Sequence, residues 1–233
     1  MIQHNGKIYP VLPPYDPAEQ AAKREAVKNR ASAAKCYTWL GTPDDELASK
    51  TFDDYDPARQ QDDRARFAST KRQVMTYADR IVVAFSQQRI ALDNLILRGN
   101  YGTGKTHLVA AICNTLRSAN VPCRFCAAPD LFTALYAAHF DDKQSIILEA
   151  SAAALLVLDD LDKVHVSVEK DGAYQKKTLF EIVNLRYRKH LPTVLTTNAT
   201  GDLSQWLDGA TISRLSERLT TLDMRGRDMR IRK

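Results

Sequence analysis

The chain has 233 residues, 44% of them hydrophobic and 26% charged, with a net charge of +5 and a pI near 9.0. That length and composition build one full-sized core plus a short extension without disulfide or metal staples, which excludes wholesale disorder and a small stapled scaffold. The longest apolar run, residues 152–158, falls far short of the roughly 18 residues of a membrane span, and Pro10, Pro13, Pro14 and the charges of residues 19–30 leave no apolar secretory segment.

Residues 1–17 carry Pro and Tyr without helical or strand period and are expected to form an extended arm. Residues 18–40 are rich in Ala, Lys and Glu and stop at Gly41, which predicts a helix. Its apolar face, with Val27, Ala31 and Ala34, is thin, as suits a docking element. Residues 41–50 read as linker. The expected division is therefore 1–50, an arm and helix that bind a partner, and 51–233, the main domain.

From Pro57 to Arg89 a helical pattern runs through Phe67, Val74, Tyr77, Ala78, Ile81, Val82 and Phe85. Short apolar runs then alternate with helical stretches. Strands are expected at 95–97, 123–127, 154–158, 193–197 and 219–224, and helices at 106–119, 130–140, 143–150, 174–189 and before Arg218. Such alternation predicts an α/β fold, a parallel sheet with helices on both faces. Cys123 and Cys126 form a CxxC, but residues three apart on a strand point to opposite faces, so they read as buried thiols. With only four cysteines, a reducing compartment fits. The five histidines show no ligand spacing.

The run Leu95–Arg98 leads into Gly99-Asn100-Tyr101-Gly102-Thr103-Gly104-Lys105-Thr106, a GxxxxGK[ST] loop between a strand and a helix. Glycines let backbone N–H groups wrap phosphates, and the helix N-terminus adds positive potential. Lys105 is expected on the β and γ phosphates and Thr106 on Mg²⁺. A hydrolysing site also needs a carboxylate at the end of a second buried strand. Ala154–Leu158 followed by Asp159 and Asp160 supplies it, with Asp159 assisting the metal and Asp160 orienting or deprotonating the attacking water. A third buried strand, 193–197, ends at Asn198, expected beside the γ-phosphate as a sensor.

By these residues the chain resembles the AAA+ ATPases, specifically the group of DnaC-type replicative helicase loaders and IstB-type transposition ATPases. The resemblance spans roughly residues 51–230. It is carried by TFDDYDPARQ, LILRGNYGTGKTHLVAAI, LLVLDDLDK, and LFEIVNLRYRKHLPTVLTTNATGDLSQWL followed by ATISRLSERL. It implies a P-loop core with a five-stranded parallel sheet in the order 5-1-4-3-2, ATP and Mg²⁺ as ligands, and an arginine finger supplied by a neighbouring subunit. Arg214 matches the finger, with Arg218 in reserve. Phe52 and Tyr55 lie in the segment that approaches the base in this family. His107, family-like after the P-loop Thr, is counted with the nucleotide-binding residues and given no catalytic role.

Departures from the family pattern carry expectations of their own. Asp160 stands where many relatives have Glu, which predicts slow basal hydrolysis. Asp162 stands where Gly is common. The sequence runs only nine residues past Met224, so no C-terminal helical lid, and no sensor arginine from one, is expected. Basic residues cluster at 23–35 and 214–233, and Arg186, Arg188 and Lys189 with Tyr187 interleaved fit single-stranded DNA tracking. The function expected is that of an ATP-switched oligomer, assembled through its ATP sites, that loads a hexameric replicative helicase onto single-stranded DNA. It would be cytoplasmic, nucleoid-associated when on DNA, with no membrane partner. The alternative is an IstB-like ATPase that binds DNA and regulates a transposase. A nucleotide-binding scaffold without turnover is a third reading, and neither the acceptor pocket nor the lid of a small-molecule kinase is evident.

Overall fold

The computed structural model describes residues 2–4, 7–9, 45–60, 63–87, 93–165 and 170–230. The chain divides into two units, residues 1–35 and 36–233. In the first, β1 (Ile2–His4) pairs antiparallel with β2 (Lys7–Tyr9). Residues 1–17 are thus not wholly an extended arm. The expected helix at 18–40 lies outside the described residues.

In the second unit, the stretch read as linker holds a short helix, α1 (Asp45–Ser49). Asn114 Nδ2 donates to Leu47 O and Lys50 O at 3.0 and 2.7 Å, and Arg117 to Ala48 O at 2.8 Å, so α1 is tied down by side chains of a later helix. A 3-10 turn at Pro57–Arg59, capped by the Asp56 carboxylate, precedes α2 (Arg64–Ser86). The long helix therefore starts at Arg64, because Pro57 begins a separate turn.

The remaining elements follow as β3 (Asn94–Arg98), α3 (Lys105–Ser118), β4 (Cys123–Ala127), α4 (Ala128–Ala137), α5 (Phe140–Ala152), β5 (Leu155–Asp159), α6 (Lys170–Arg188), β6 (Thr193–Thr197), α7 (Gly209–Ser216) and β7 (Leu219–Asp223). All pairings among β3 to β7 are parallel, in the order β4-β5-β6-β3-β7. Numbered from β3 and read from β7, that is the expected 5-1-4-3-2. Each strand alternates its side chains between two cores. Leu95, Leu97, Val157 and Val194 face α2 and α3, against Phe67, Val74, Ile81, Leu108 and Ile112. Ile96, Leu156, Leu158 and Leu195 face the opposite layer, with Leu131, Leu135, Ile182 and Leu215. Fully buried aliphatic side chains of this kind contribute about 1.5–3 kcal/mol each, and neither face of the central strands could be left to water.

The two thiols of the CxxC separate as expected: Cys123 joins the first core, 2.8 Å from Cys113 Sγ, and Cys126 the second. Arg186 departs from expectation. It is fully buried, donating to Ala153 O (2.8 Å), Ala150 O (3.3 Å), Pro192 O and Thr193 Oγ1 (3.1 Å). Its guanidinium satisfies carbonyls at the end of α5 and the entry to β6 and is not available to DNA; Tyr187, Arg188 and Lys189 stay exposed.

Candidate active site

A parallel sheet sends the C-terminal ends of its strands to one edge, where a crevice opens at the change in strand order. Here β3 leads into the P-loop, β5 ends at Asp159 and β6 is followed by Asn198. Tyr101, Gly102, Gly104, Lys105, Thr106, His107, Asp160 and Asn198 line one cavity of ≈ 770 Å³, together with Leu47, Lys50, Arg59, Lys163, Met229 and Arg230.

Gly99, at φ +145°, is required by close approach: a Cβ there would lie 2.4 Å from the backbone of Met224. Met224 N donates to Arg98 O at 2.7 Å, so the chain leaving β7 runs along the P-loop from its start. Lys105 opens α3, and its buried ammonium donates to Gly99 O (2.8 Å), Asn100 O (2.7 Å) and Asn198 Oδ1 (2.8 Å). All three of its hydrogens are used. Burial lowers its pKa, against the pull of Asp160, Asp162 and Asp159.

Asp159 is buried at the end of β5. Burial pushes its pKa up to about 6, although the Thr196 and Thr106 hydroxyls both hydrogen-bond its carboxylate. Thr106 Oγ1 donates to Asp159 Oδ1 at 3.3 Å, and Thr196 Oγ1 donates to the same oxygen. Thr196 also accepts from Asp160 N at 2.9 Å. Asp160 adopts the left-handed region (φ 53°, ψ 48°), which Asp tolerates better than most residues. Burial and then the Asp162 charge raise the Asp160 pKa.

Asp162 faces Asn198. It accepts from Asn198 N at 2.6 Å and from Asn198 Nδ2 at 2.9 and 3.2 Å. Burial would raise its pKa, but hydrogen bonds, those from Asn198 foremost and then that from Thr197, outweigh this and lower it.

Phe52 and Tyr55 are buried in the core and do not line the cavity. Tyr55 OH donates to Thr103 O at 3.1 Å, and its ring fills the space a Cβ on Gly104 would need. The apolar wall at that end comes instead from Leu47 and Met229, with the His107 ring held by Thr51 O at 2.8 Å. Arg230 lines the cavity, its charge felt by Lys105 and Asp160. Met229 N donates to Gly102 O at 2.9 Å, and Gln60 and Arg227 exchange hydrogen bonds of 2.7 and 3.0 Å. These contacts brace the segment that carries Arg230. Nothing in the local sequence signals it.

Arg214 stands elsewhere. It lines a cavity of ≈ 260 Å³ with Arg218, Asn94 and Thr193, the last two at the N-terminal ends of β3 and β6. A five-residue strand, roughly 16 Å, separates them from the P-loop end. Arg214 Nε donates to Asn184 Oδ1 at 3.0 Å, and its guanidinium lies 4.8 Å from the Phe180 ring centroid. Arg218 is exposed.

The family of IstB-like ATP-binding proteins matches residues 47–233. The chain belongs to this family. Among its relatives, the replicative helicase loader DnaC of Escherichia coli (strain K12) is 28% identical over 109 residues, 46% of this chain and 42% of the loader. The insertion sequence IS232 putative ATP-binding protein of Bacillus thuringiensis subsp. berliner is 25% identical over 171 residues, 70% of this chain and 63% of that one. The chain thus spans less than two thirds of either relative's length. The crystal structure of DnaI superposes with a TM-score of 0.61 at 23% identity, covering 82% of this chain and 96% of that one, which shows that the two share a fold.

The P-loop cavity lies within the residues that match this ATP-binding family, and its donors suit Mg²⁺. Thr106 Oγ1 and Asp159 Oδ1 are hard oxygens of the kind that cation prefers, and the raised pKa of Asp159 reports a buried negative charge short of compensation. No helix among the described residues is long and apolar enough to cross a membrane.

Proposed function

We propose that the chain binds ATP with Mg²⁺ in this cavity, hydrolyses it slowly, and acts as an ATP-switched oligomer loading a hexameric replicative helicase onto single-stranded DNA. The observation that supports this best is the convergence of Lys105, Thr106, Asp159, Asp160 and Asn198 at the ends of three adjacent strands. Backbone N–H groups of Gly102, Thr103, Gly104 and Lys105 cradle the phosphates, and Lys105 exchanges carbonyl partners for phosphate oxygens. Mg²⁺, held by Thr106 and Asp159, supplies neutralisation of the β and γ oxygens. Asp160 orients or deprotonates the attacking water, its basicity raised by burial and by Asp162. The base packs against Leu47 and Met229, and Arg230 faces the phosphates.

Arg214 cannot reach its own P-loop from the opposite end of the strands, so as a finger it serves the site of a neighbouring copy, stabilising charge on the γ-phosphoryl oxygens. Asn184 and Phe180 hold it in one orientation. Assembly then controls turnover. Residues 1–50 carry the grip on the helicase.

A second reading, an IstB-like ATPase that binds DNA and regulates a transposase, is favoured by the IS232 relative, which aligns with 70% of this chain against 46% for the DnaC loader. Mass measurement of complexes with the host's own replicative helicase, in ATP and in ADP, separates the two. An ATP-sensitive complex lost on deleting residues 19–40 supports the loader. Absence of any complex, with ATP-dependent assembly on duplex DNA, gives the transposition reading its place.

A further inference from the structure

Beyond its charge beside Asp160, Asp162 has no assigned part in the chemistry above, yet its carboxylate accepts from both N–H groups of Asn198. The backbone N–H comes at 2.6 Å and the side-chain Nδ2 at 2.9 Å to one oxygen and 3.2 Å to the other. On its far side, Asn198 Oδ1 accepts from Lys105 Nζ at 2.8 Å. These partners fix which way the amide points. An ammonium only donates and an ionised carboxylate only accepts, so Oδ1 must face Lys105 and Nδ2 must face Asp162. The reverse orientation would set two donors against each other at one end and two acceptors at the other.

The consequence is chemical. Asn198 presents a carbonyl oxygen to the phosphate end of the cavity and keeps its N–H groups turned away. A carbonyl oxygen accepts from the O–H of a water or from Lys105, but cannot donate to a phosphoryl oxygen. We propose that Asp162 is a positioning residue that locks Asn198 as an acceptor, so that it holds the attacking water and makes no direct bond to the γ-phosphate. This rests on the hydrolysis reading given above, but the locked amide also bears on nucleotide binding. With Asp162 removed, the amide is free to turn over. Its N–H₂ then reaches the γ-phosphate, which tightens ATP relative to ADP while the water loses its acceptor.

The test uses the full chain as wild type, D162A, D162N, N198A and the D162A/N198A pair, with ATP and ADP affinities and steady-state turnover measured for each. D162N preserves shape but offers Asn198 a donor as well as an acceptor, so it should behave like D162A without a cavity. Expected are a fall in kcat of about tenfold in both Asp162 variants, no rise in KM for ATP, and an ATP-over-ADP preference severalfold above wild type. The pair should turn over no more slowly than N198A alone and should lose the extra ATP preference, because both substitutions act through one amide. Losses that multiply in the pair, a kcat for D162A and D162N within twofold of wild type or above it, or an unchanged ATP-over-ADP ratio would each overturn the positioning role. If the wild type turns over no ATP, the hydrolysis reading falls by itself. The affinity ratios then decide the positioning claim: a raised ratio in D162A that vanishes in the pair supports it, and unchanged ratios overturn it.

Discussion

Lys105 Nζ stands 2.8 Å from Asn198 Oδ1, which joins the first residue of α3 to the residue just past β6. The contact spans the two strands that carry them, β3 and β6, which pair in register from Leu95 with Val194 to Arg98 with Thr197. That register sets the ammonium beside the amide. Removing the amide leaves Lys105 its two P-loop carbonyls.

Asn198→Ala should therefore leave ATP affinity within a few fold of wild type while lowering kcat about tenfold or more, since an oriented water is lost and the phosphate cradle is kept. Steady-state kinetics beside direct ATP titration measure both. A rise in KM with kcat unchanged would place Asn198 in ground-state binding instead.

Asp159→Asn removes a buried carboxylate held by two hydroxyls and short of a cation. The nucleotide-free protein should melt higher, by about 2–4 °C for each 1 kcal/mol recovered. The additional stabilisation that Mg²⁺ confers on the ATP complex should vanish. Thermal melts of both proteins with ATP, with and without Mg²⁺, read this directly. A variant with unchanged Mg²⁺ dependence contradicts the assignment of Asp159 to the metal.

Arg186→Ala empties a buried site and takes a donor from the carbonyls of Ala150, Ala153 and Pro192. Destabilisation on the order of 3 kcal/mol is expected by chemical denaturation. Arg188→Ala and Lys189→Ala, exposed on the same helix, should be neutral within about 0.5 kcal/mol. Equal effects at all three positions would return Arg186 to the surface role its sequence suggested.

Arg214→Ala should leave ATP binding by each subunit intact and abolish the turnover gained on assembly, by about 10³-fold or more for a finger. Mixing it with Lys105→Ala, itself unable to bind ATP productively, should restore part of the activity, because the second protein donates its arginine to the sites of the first. Mixtures no more active than either component would mean that the guanidinium does not act across subunits.

The P-loop, the acids after β5 and the Asn after β6 were legible because each sits in a local pattern: an apolar strand followed at once by its functional residue. The sheet order followed from the resemblance those patterns carried. Arg186 was misread for a physical reason, since Arg-Tyr-Arg-Lys at a helix end looks the same whether its first arginine meets water or the carbonyls of two other segments. Thr196 and Arg230 gave no signal of a place in the site, and Asp162 showed only its departure from the Gly common at that place. Thr196 is a common strand residue, Asp162 is one more acid beside two others, and Arg230 reaches the cavity only because Gln60, Arg59 and Gly102 tie its segment down. Likewise Phe52 and Tyr55, expected to approach the base, are buried in the core and do not line the cavity. The burial of Tyr55 depends on the space that Gly104 leaves for its ring, which no local pattern records.

The central claim is that the cavity around Lys105 binds and hydrolyses ATP. Its most direct test is calorimetric titration of the full chain with Mg²⁺ and ATP, followed by phosphate release, for wild type and Lys105→Ala. The account predicts one ATP bound per chain and slow release of phosphate by the wild type, with both lost in the variant. Equal binding by the two proteins, or none by the wild type, would contradict it.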